Sequence, residues 1–440
     1  MDTRDYNTLK LNGFSAIDAA VIAQAADGFG TPVYVYDEAH IIKRCCECLA
    51  MPNAFGLTVR YAMKANSNRA LLKIISGAGL LVDASSLNEA MRAQLAGIPL
   101  DQIMLTTQEV YDGAAKAKFQ ELLIHGLKYN VCSLRQLREI ADFAASFGIN
   151  PGIRIHPGVG SGESATRNTG DDYSCFGVHL SDVDEACGIA REHGVQFLHI
   201  HEHIGSGGDS EMWRQNIDLE LSIVEKHFPD AESVGFGGGL KEARMPDEYP
   251  ADLGLLGGYA KKQIEDFYAR TGRKLKMEIE PGTFIVANSG YAVTRVIDKK
   301  STACSEFIII DGGMEINARP LLYGSRHPIY IISDDDGAVV KSSEFYGNKS
   351  GYSAAIAGKC CESGDCQTIG ADGYISPRAM AEPDLGDLAV IGGVGAYCSS
   401  MAPFNYNSHT QAPEVLLTTG GRLELIRKRQ TLEHMLENEV

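Results

Sequence analysis

The chain has 440 residues, 44% of them hydrophobic, and carries a formal net charge of −17. This length suffices for one large or two unequal domains with buried cores. The negative charge excludes nucleic acid and anionic membrane surfaces as main partners. The N-terminus lacks a basic start followed by an apolar run, and no run approaches about 18 apolar residues. We therefore expect neither a secretory signal nor a membrane-spanning helix, and we expect a cytoplasmic protein.

Residues 57–282 repeat one pattern, in which a short apolar run precedes a helix-period segment that ends in glycine. Ser86 and Glu89 form a predicted capping box at one helix start, and Ser133 is a predicted N-cap of another. Eight strand–helix units of this length predict a (β/α)8 barrel over residues 37–283, with an apolar interior. The predicted strands are Val59–Ala65, Leu80–Ala84, Ile103–Thr106, Lys128–Val131, Gly152–Ile155, Phe197–His203, Ser233–Gly237 and Lys276–Glu280.

The pattern changes after about residue 284, where short β-rich pieces alternate with turn-rich stretches. These features predict a mainly antiparallel β-sheet domain formed by residues 1–36 and 284–440. We expect Thr31–Tyr36 to contribute a strand to this domain. The later predicted strands are Tyr291–Ile297, Glu306–Asp311, Ile329–Ile332, Leu388–Ile391 and Glu414–Thr418. The predicted fold class is therefore α/β, with a (β/α)8 barrel followed by a mainly antiparallel sheet domain.

Polar residues gather at the ends of the predicted barrel strands, where the chemistry of such barrels is found. One of them, Lys64 in YAMKAN, is unusual between the apolar Met63 and Ala65. Partial desolvation would favour a nucleophilic amine that forms a Schiff base with an aldehyde cofactor. The alternative is a structural lysine that pairs with a carboxylate such as Asp83. The strand-end group comprises Lys64, Asp83, His203, Gly237, Gly238, Gly239 and Glu280.

Two glycine-rich turns, at residues 203–208 and 234–239, follow successive late strands. Their backbone N–H groups are suited to hold a phosphate, to which Ser206 can add a hydroxyl. Glu280, at the end of the eighth strand, is suited to keep the nitrogen of a pyridine cofactor protonated, although a structural carboxylate at a turn is the simpler alternative. Together these features favour pyridoxal 5′-phosphate as the cofactor.

Longer motifs extend this interpretation across nearly the whole chain. They are YAMKAN, VDASS, NTGDDYSCFG, HEHIGS, GFGGGL, EPG, RPLLYG, CESGD and GAYCSSMAPFNYN. Through them the chain resembles the fold-type III pyridoxal-phosphate decarboxylases, and most of all the diaminopimelate decarboxylases. CESGD and the GAY…FNYN segment are specific, whereas YAMKAN, HIGS and EPG are shared with relatives that act on other substrates.

The resemblance implies a role for each matched cofactor residue. Lys64 would form a Schiff base with pyridoxal 5′-phosphate, with Asp83 beside it. His203 would stack on the ring, and Glu280 would bind the ring nitrogen. The phosphate would be held by Ser206, Gly237, Gly238 and Gly239.

The resemblance also implies a substrate site and an assembly. Arg319 and Tyr323 would bind a substrate carboxylate, and Tyr397 would cover the cofactor and the substrate. The family's homodimers place active sites between subunits, so Cys361 and Glu362 would reach the partner's site. The thiol would protonate Cα after decarboxylation, and the carboxylate would hold a substrate amine. The implied reaction converts meso-diaminopimelate to L-lysine.

Several positions depart from the family pattern. Thr283 follows EPG where an arginine is usual, Cys175 and His156 replace a lysine and an asparagine, and Thr106-Thr107-Gln108 replaces a Gly-Asn turn. These changes alter the substrate shell and leave the chemical core intact. They keep open a decarboxylase of another basic or carboxylated amino acid, or an amino-acid racemase.

Two further alternatives belong to other classes. One is a catalytically silent cofactor-binding protein that regulates a true decarboxylase, and the other is a phosphate-binding barrel without a pyridoxal cofactor. Retention of Lys64, His203, Glu280 and Cys361 together favours an enzyme over the silent regulator. The 11 cysteines show no paired zinc-site spacing, so no metal is expected. Cys45, Cys46 and Cys48 are expected to be free, buried or half-buried thiols.

Overall fold

The computed structural model describes residues 8–11, 15–160, 169–171, 173–205, 210–333, 338–345 and 351–440. The chain forms two compact units. The barrel unit comprises Ile42–Lys241 and Pro250–Phe284, and the sheet unit comprises Met1–Ile41, Glu242–Tyr249 and Ile285–Val440. The domain boundaries at residues 37 and 283 stay a prediction.

The strands and helices are numbered in chain order. The strands are β1 (Thr8–Leu11), β2 (Ser15–Asp18), β3 (Val33–Asp37), β4 (Leu57–Ala62), β5 (Leu81–Ala84), β6 (Ile103–Thr106), β7 (Lys128–Val131), β8 (Gly152–His156), β9 (Val178–His179), β10 (His199–His201), β11 (Ser233–Gly235), β12 (Lys276–Ile279), β13 (Gly290–Ser301), β14 (Glu306–Ile310), β15 (Ile329–Ile332), β16 (Val340–Ser342), β17 (Ser353–Ala357), β18 (Arg378–Ala379), β19 (Leu388–Gly392), β20 (Glu414–Leu417) and β21 (Leu423–Arg427). The α-helices are α1 (Ala19–Phe29), α2 (Glu38–Leu49), α3 (Arg69–Gly77), α4 (Leu87–Leu95), α5 (Gly113–Ile124), α6 (Leu134–Ser146), α7 (Val183–His193), α8 (Ser210–His227), α9 (Leu253–Thr271), α10 (Thr283–Val286), α11 (Arg319–Tyr323) and α12 (Leu432–Leu436).

The barrel unit contains a closed barrel of eight parallel strands, β4–β8 and β10–β12. Closure is made by the pairing of β8 with β10 and of β12 with β4. All eight predicted strands are present, so the predicted barrel is confirmed. The strand predicted to end at Ala65 ends at Ala62, and the strand predicted over Phe197–His203 is limited to His199–His201. Both strands end before the residues that carry the predicted chemistry.

The predicted helix starts are confirmed by their hydrogen bonds. Ser86 Oγ accepts from the Glu89 backbone N–H at 3.1 Å, and Glu89 Oε2 accepts from the Ser85 N–H at 2.7 Å. Ser133 Oγ accepts from the Gln136 N–H at 3.1 Å. These side chains satisfy backbone donors that have no partner inside the first helical turn.

The barrel interior is polar, so the predicted apolar interior is wrong. Residues two apart on a strand face the same side, so Glu278 shares the inward face with Glu280. Arg60 Nε lies 2.6 Å from Glu278 Oε1, and both side chains are buried. Thr106 and Asn130 form a second buried polar connection, described below with Asp83. Pairing offsets the cost of burying these four polar side chains.

The sheet unit has a central strand path in the order β16-β15-β19-β13-β14-β17-β18. Strand β3 joins it by pairing antiparallel with β13 and parallel with β20, which confirms the predicted N-terminal strand. The pairing of β14 with β17 is also parallel, and the other pairings in this sheet are antiparallel. Helix α1 packs on one face, where the core includes Ile17, Ile22, Val33, Val35, Tyr291, Val293, Tyr330 and Val390.

The cysteines are all free thiols. Cys45 and Cys48 are buried as expected, but Cys46 is exposed. Within the described ranges, no helix combines the length and the apolar character needed to cross a bilayer.

Two carboxyl groups are fully buried in the barrel unit, Glu202 directly after β10 and Glu220 on α8. No ion pair joins either to a basic side chain within the described part of the chain. Burial raises the pKa of both well above the ordinary value, and the charge of Glu202 raises the pKa of Glu220 further.

This pair predicts a stability that falls with increasing pH. Above about pH 4.3 an exposed glutamate releases its proton on unfolding, whereas the folded pair retains protons, so the free energy of unfolding decreases as pH rises toward the folded pKa values. The Glu202→Gln/Glu220→Gln variant should lack this contribution. Urea unfolding between about pH 5 and pH 8 should therefore show that the free energy of unfolding of the variant increases relative to that of the wild type as pH rises. If the free energy of unfolding depended on pH in the same way in both proteins, Glu202 and Glu220 would not be the source of the effect.

Candidate active site

Lys64 lies in a short 3-10 turn, Met63–Ala65, that directly follows β4. Met63 and Ala65 are buried, whereas Lys64 is exposed in the single chain. The positive charge of Lys64 lowers the pKa of both Asp83 and His203. The buried neighbours fix the backbone, and the exposure leaves the amine accessible to an aldehyde.

Asp83 is buried on β5 and belongs to a short hydrogen-bonded connection. Thr106 Oγ1 donates to Asp83 Oδ1 at 2.8 Å, and Asn130 Nδ2 donates to Thr106 Oγ1 at 3.0 Å. Burial, and after it the charge of Glu280, raises the pKa of Asp83 well above its ordinary value. A carboxyl group with a raised pKa is a poor permanent counter-ion, which disfavours a purely structural pair with Lys64.

Glu280 directly follows β12, and its Oε2 lies 3.0 Å from His201 Nε2. Burial alone would raise the pKa of Glu280, but the charge and the hydrogen bond of His201 outweigh it and lower the pKa to about 2. Glu280 is thus ionised at neutral pH. Its other oxygen, Oε1, is buried without a hydrogen-bond partner among the described residues. A buried, ionised oxygen of this kind requires a donor such as a protonated ring nitrogen.

His203 is buried two residues after the end of β10. Burial, followed by the charges of Lys64 and Arg154, lowers the pKa of His203 well below its ordinary value. The imidazole is therefore neutral, and its Nδ1 accepts from the Gly238 backbone N–H at 3.0 Å. A flat, neutral ring fixed in this way is suited to stack on an aromatic cofactor.

Gly237, Gly238 and Gly239 follow β11 at positions where a side chain does not fit. A Cβ atom at these positions would lie 2.4 Å from the Glu202 carbonyl oxygen, 2.6 Å from that of Glu280 and 2.8 Å from that of Gly205. Gly237 and Gly239 also have positive φ values of 64° and 81°. Only glycine allows this close backbone approach, which a phosphate-binding turn requires.

These barrel residues fit pyridoxal 5′-phosphate. They provide an accessible amine, a neutral imidazole, an ionised carboxylate with an oxygen that lacks a donor, and a glycine turn. Ser206, the remaining predicted phosphate ligand, lies outside the described residues, and its role stays a prediction.

In the sheet unit, the structure brings together three of the predicted substrate residues. Arg319 opens α11 and is only 1% exposed. Its guanidinium carbon lies 5.7 Å from the centre of the Tyr323 ring and 6.0 Å from that of Tyr397. Its Nη2 donates to Ser325 Oγ at 3.3 Å. The two aromatic rings and this hydrogen bond restrict the orientation of the arginine fork.

Cys361 and Glu362 are exposed in the loop that follows β17. The Cys361 backbone N–H donates to Asn407 Oδ1 at 2.8 Å. The Tyr406 hydroxyl donates to Glu362 Oε2 at 3.1 Å. The backbone of Cys361 and the carboxylate of Glu362 are thus held in place, and both residues are exposed.

Several residues in contact with the site were missed by sequence reasoning. His201 and Thr106 could have been found, because each lies on the inward face of a strand that ends at the site. Tyr406 and Asn407 lie inside the FNYN motif, but no sequence signal pairs them with CESGD.

Two of the departures from the family pattern lie in described parts of the barrel unit. Thr283 is the first residue of α10 and is partly buried. His156 Nε2 lies 3.1 Å from the Ser174 carbonyl oxygen.

Comparisons with known proteins agree with this site. Residues 39–287 match the family model described as the pyridoxal binding domain of pyridoxal-dependent decarboxylases. Diaminopimelate decarboxylase of Escherichia coli K12 is 34% identical over 416 residues, which covers 94% of both chains. The enzyme of the same name from Streptomyces coelicolor is 31% identical and covers 97% of this chain and 93% of the relative.

Solved structures give the same result. A crystal structure of diaminopimelate decarboxylase matches with a TM-score of 0.87, 32% identity and 99% coverage of both chains. The Helicobacter pylori diaminopimelate decarboxylase complexed with L-lysine matches with a TM-score of 0.77 and 27% identity, covering 94% of this chain and 98% of the other. The resemblance inferred from the motifs is confirmed. The chain therefore belongs to the diaminopimelate decarboxylases, which are pyridoxal 5′-phosphate-dependent carboxy-lyases.

Proposed function

We propose that the protein removes one carboxyl group from meso-diaminopimelate and releases L-lysine, with Lys64 as the residue that holds the cofactor. The observation that carries this proposal is the strand-end group formed by Lys64, His203 and Glu280. In one small region it combines an accessible amine, a neutral imidazole and a carboxylate that stays ionised at neutral pH. Family membership supports both the substrate and the product.

The barrel residues hold the cofactor and control its protonation. Bound pyridoxal phosphate supplies the sink for the electron pair left at Cα when CO2 departs. Lys64 would hold the cofactor through its side-chain amine and would exchange it with the amine of the substrate. Glu280 would hold a proton on the ring nitrogen, His203 would pack against the ring, and the glycine turn would donate backbone N–H groups to the phosphate.

Residues of the sheet unit bind and protonate the substrate. Arg319 and Tyr323 bind a substrate carboxylate, because the planar guanidinium offers paired donors to two oxygens. Tyr397 covers the bound substrate. Glu362 accepts a hydrogen bond from the substrate's distal amine, and the Cys361 thiol donates a proton to Cα after CO2 has left.

The assembly and the compartment belong to the same proposal. Cys361 and Glu362 act in the active site of the partner subunit, so the working form is a homodimer. Their exposure in the single chain supports this arrangement. The free thiols support a reducing compartment, which is the cytoplasm.

A substrate panel tests the function, with CO2 release measured from meso-diaminopimelate, lysine, ornithine and arginine. We expect the wild type to act on meso-diaminopimelate although Thr283 provides no charge after EPG. Thr283→Arg should lower KM for this substrate by about tenfold, because a charge-assisted hydrogen bond contributes about 1.5 kcal/mol or more. It should not improve turnover of lysine or ornithine.

Thr283→Gln is the control, since glutamine adds length without charge. A similar KM decrease in both variants would assign the effect to packing and remove the case for a missing cation. Release of CO2 from lysine, ornithine or arginine alone would overturn the proposed substrate and favour a decarboxylase of another amino acid. Interconversion of enantiomers without CO2 release would indicate a racemase.

A further inference from the structure

The segment from Tyr397 to Ser408 has an unusual backbone. Five non-glycine residues in the described part of the chain have positive φ, and four of them lie in this segment. Three are nearly consecutive, with φ values of 62° at Asn405, 50° at Asn407 and 58° at Ser408. Residues other than glycine rarely adopt a positive φ. The clustering of four such residues near predicted functional residues indicates a constraint imposed by the site.

The turn is fastened to the C-terminal part of the sheet unit. Asn405 Nδ2 donates to Gln430 Oε1 at 2.6 Å and to the His409 carbonyl oxygen at 3.1 Å. Gln430 Oε1 also accepts from the Gln411 backbone N–H at 3.1 Å. The left-handed turn is therefore anchored independently of the Cys361 loop.

The opposite side of the turn contacts the loop that carries Cys361 and Glu362. Asn407 Oδ1 accepts from the Cys361 backbone N–H at 2.8 Å, and the Tyr406 hydroxyl donates to Glu362 Oε2 at 3.1 Å. One short turn thus contacts both exposed residues through different groups, the backbone of the first and the carboxylate of the second.

A second anchor lies beside the same loop. Asp365 accepts from the Cys360 backbone N–H through Oδ2 and from the Met314 N–H through Oδ1, both at 2.6 Å. Cys360 Sγ lies 3.4 Å from Glu315 Oε2, so its thiol is directed to a buried partner. Asp365 fixes the backbone just before Cys361, and Asn407 fixes Cys361 itself. The reactive thiol is thus presented from a backbone that is held at two successive residues.

We propose that Asn407 and Tyr406 are positioning residues for the decarboxylation, Asn407 for the thiol of Cys361 and Tyr406 for the carboxylate of Glu362. This inference rests on the proposed function. Asparagine suits position 407 because it tolerates a left-handed backbone and offers a neutral acceptor. The hydrogen bond from Tyr406 lowers the pKa of Glu362 and directs one oxygen of its carboxylate.

Asn407→Gly tests the first role with little backbone penalty. Glycine adopts positive φ at least as readily as asparagine, so this variant removes the carbonyl acceptor and retains the turn. The matched control is Ser408→Gly, which changes a neighbouring left-handed residue whose φ is 58° and removes no acceptor from Cys361.

For Asn407→Gly we expect kcat to fall about 10- to 100-fold while KM changes less than about twofold, because a displaced proton donor slows the reaction more than binding. The rate at which iodoacetamide alkylates Cys361 should also change. Ser408→Gly should resemble the wild type in both measurements. An equal decrease of kcat in the two glycine variants, or no decrease in either, would overturn the role of Asn407.

Tyr406→Phe tests the second role by removing only the hydroxyl. We expect KM to increase and the acidic limb of the kcat/KM profile to move to higher pH, because Glu362 loses the bond that favours its charged form. Tyr374→Phe, at a tyrosine that is 76% exposed, is the control. An unchanged acidic limb in Tyr406→Phe would overturn the role of Tyr406.

Cys361→Ala separates this inference from the proposed function. If Cys361→Ala retains full kcat, the proposed proton donor is wrong whatever Asn407 does. If it loses activity and Asn407→Gly alters neither kcat nor the alkylation rate, the proton donor stands and the positioning role fails. Loss of activity in both variants, with Ser408→Gly unaffected, supports the two together.

Discussion

Replacement of Lys64 by alanine is expected to lower CO2 release by at least about a thousandfold and to remove the Schiff-base absorbance band of the bound cofactor. The reason is specific to the amine, because Lys64 is the group to which we assign attachment of the cofactor and its release from product. The backbone of the turn Met63–Ala65 should be retained, since Met63 and Ala65 remain buried. Absorbance spectra and turnover of the purified variant measure both effects.

Lys73→Ala is the matched control for this experiment. Lys73 is an exposed lysine on α3, the helix that follows the Lys64 turn. It should retain the absorbance and the activity of the wild type. If Lys64→Ala retains the visible band and turns over substrate, the assignment of the cofactor residue is wrong.

Glu280→Gln is expected to lower kcat about 100- to 1,000-fold while the cofactor remains bound. The amide cannot act as the ionised partner that holds a proton on the ring nitrogen, so the cofactor becomes a weaker electron sink. Cofactor binding should persist because Lys64 and the glycine turn are unchanged. Turnover and cofactor content, measured on the same sample, separate the two effects.

The control for this variant is Glu265→Gln, at an exposed carboxylate on α9. It should match the wild type in both measurements. Loss of cofactor from Glu280→Gln in proportion to its loss of activity would assign Glu280 to binding and not to the electronic role.

The fold was predictable where local patterns repeat. Eight apolar runs with glycine-terminated helices identified the barrel, and Thr31–Tyr36 was correctly assigned to the sheet. The sequence could not show that Arg60 and Glu278 pair inside the barrel, because the two residues are 218 positions apart and meet only after closure. Strands such as β16 and β21 were missed because their apolar alternation is too short to stand out from the surrounding turns.

The site was predictable to a similar extent and for similar reasons. Lys64, His203 and Glu280 were found because the ends of parallel barrel strands lie close together, whichever side chains they carry. Their protonation states were not predictable, since the lowered pKa of Glu280 depends on histidines contributed by a different strand. The contacts of Asn407 and Tyr406 with the Cys361 loop also arise only from tertiary structure.

The most direct test of the account is reduction of the cofactor-loaded protein with borohydride, followed by digestion and mass spectrometry. Reduction fixes the cofactor permanently to the amine that holds it. We expect a phosphopyridoxyl group on the peptide that contains Lys64. A label on another lysine, or no label on a protein that still releases CO2 from meso-diaminopimelate, would contradict it.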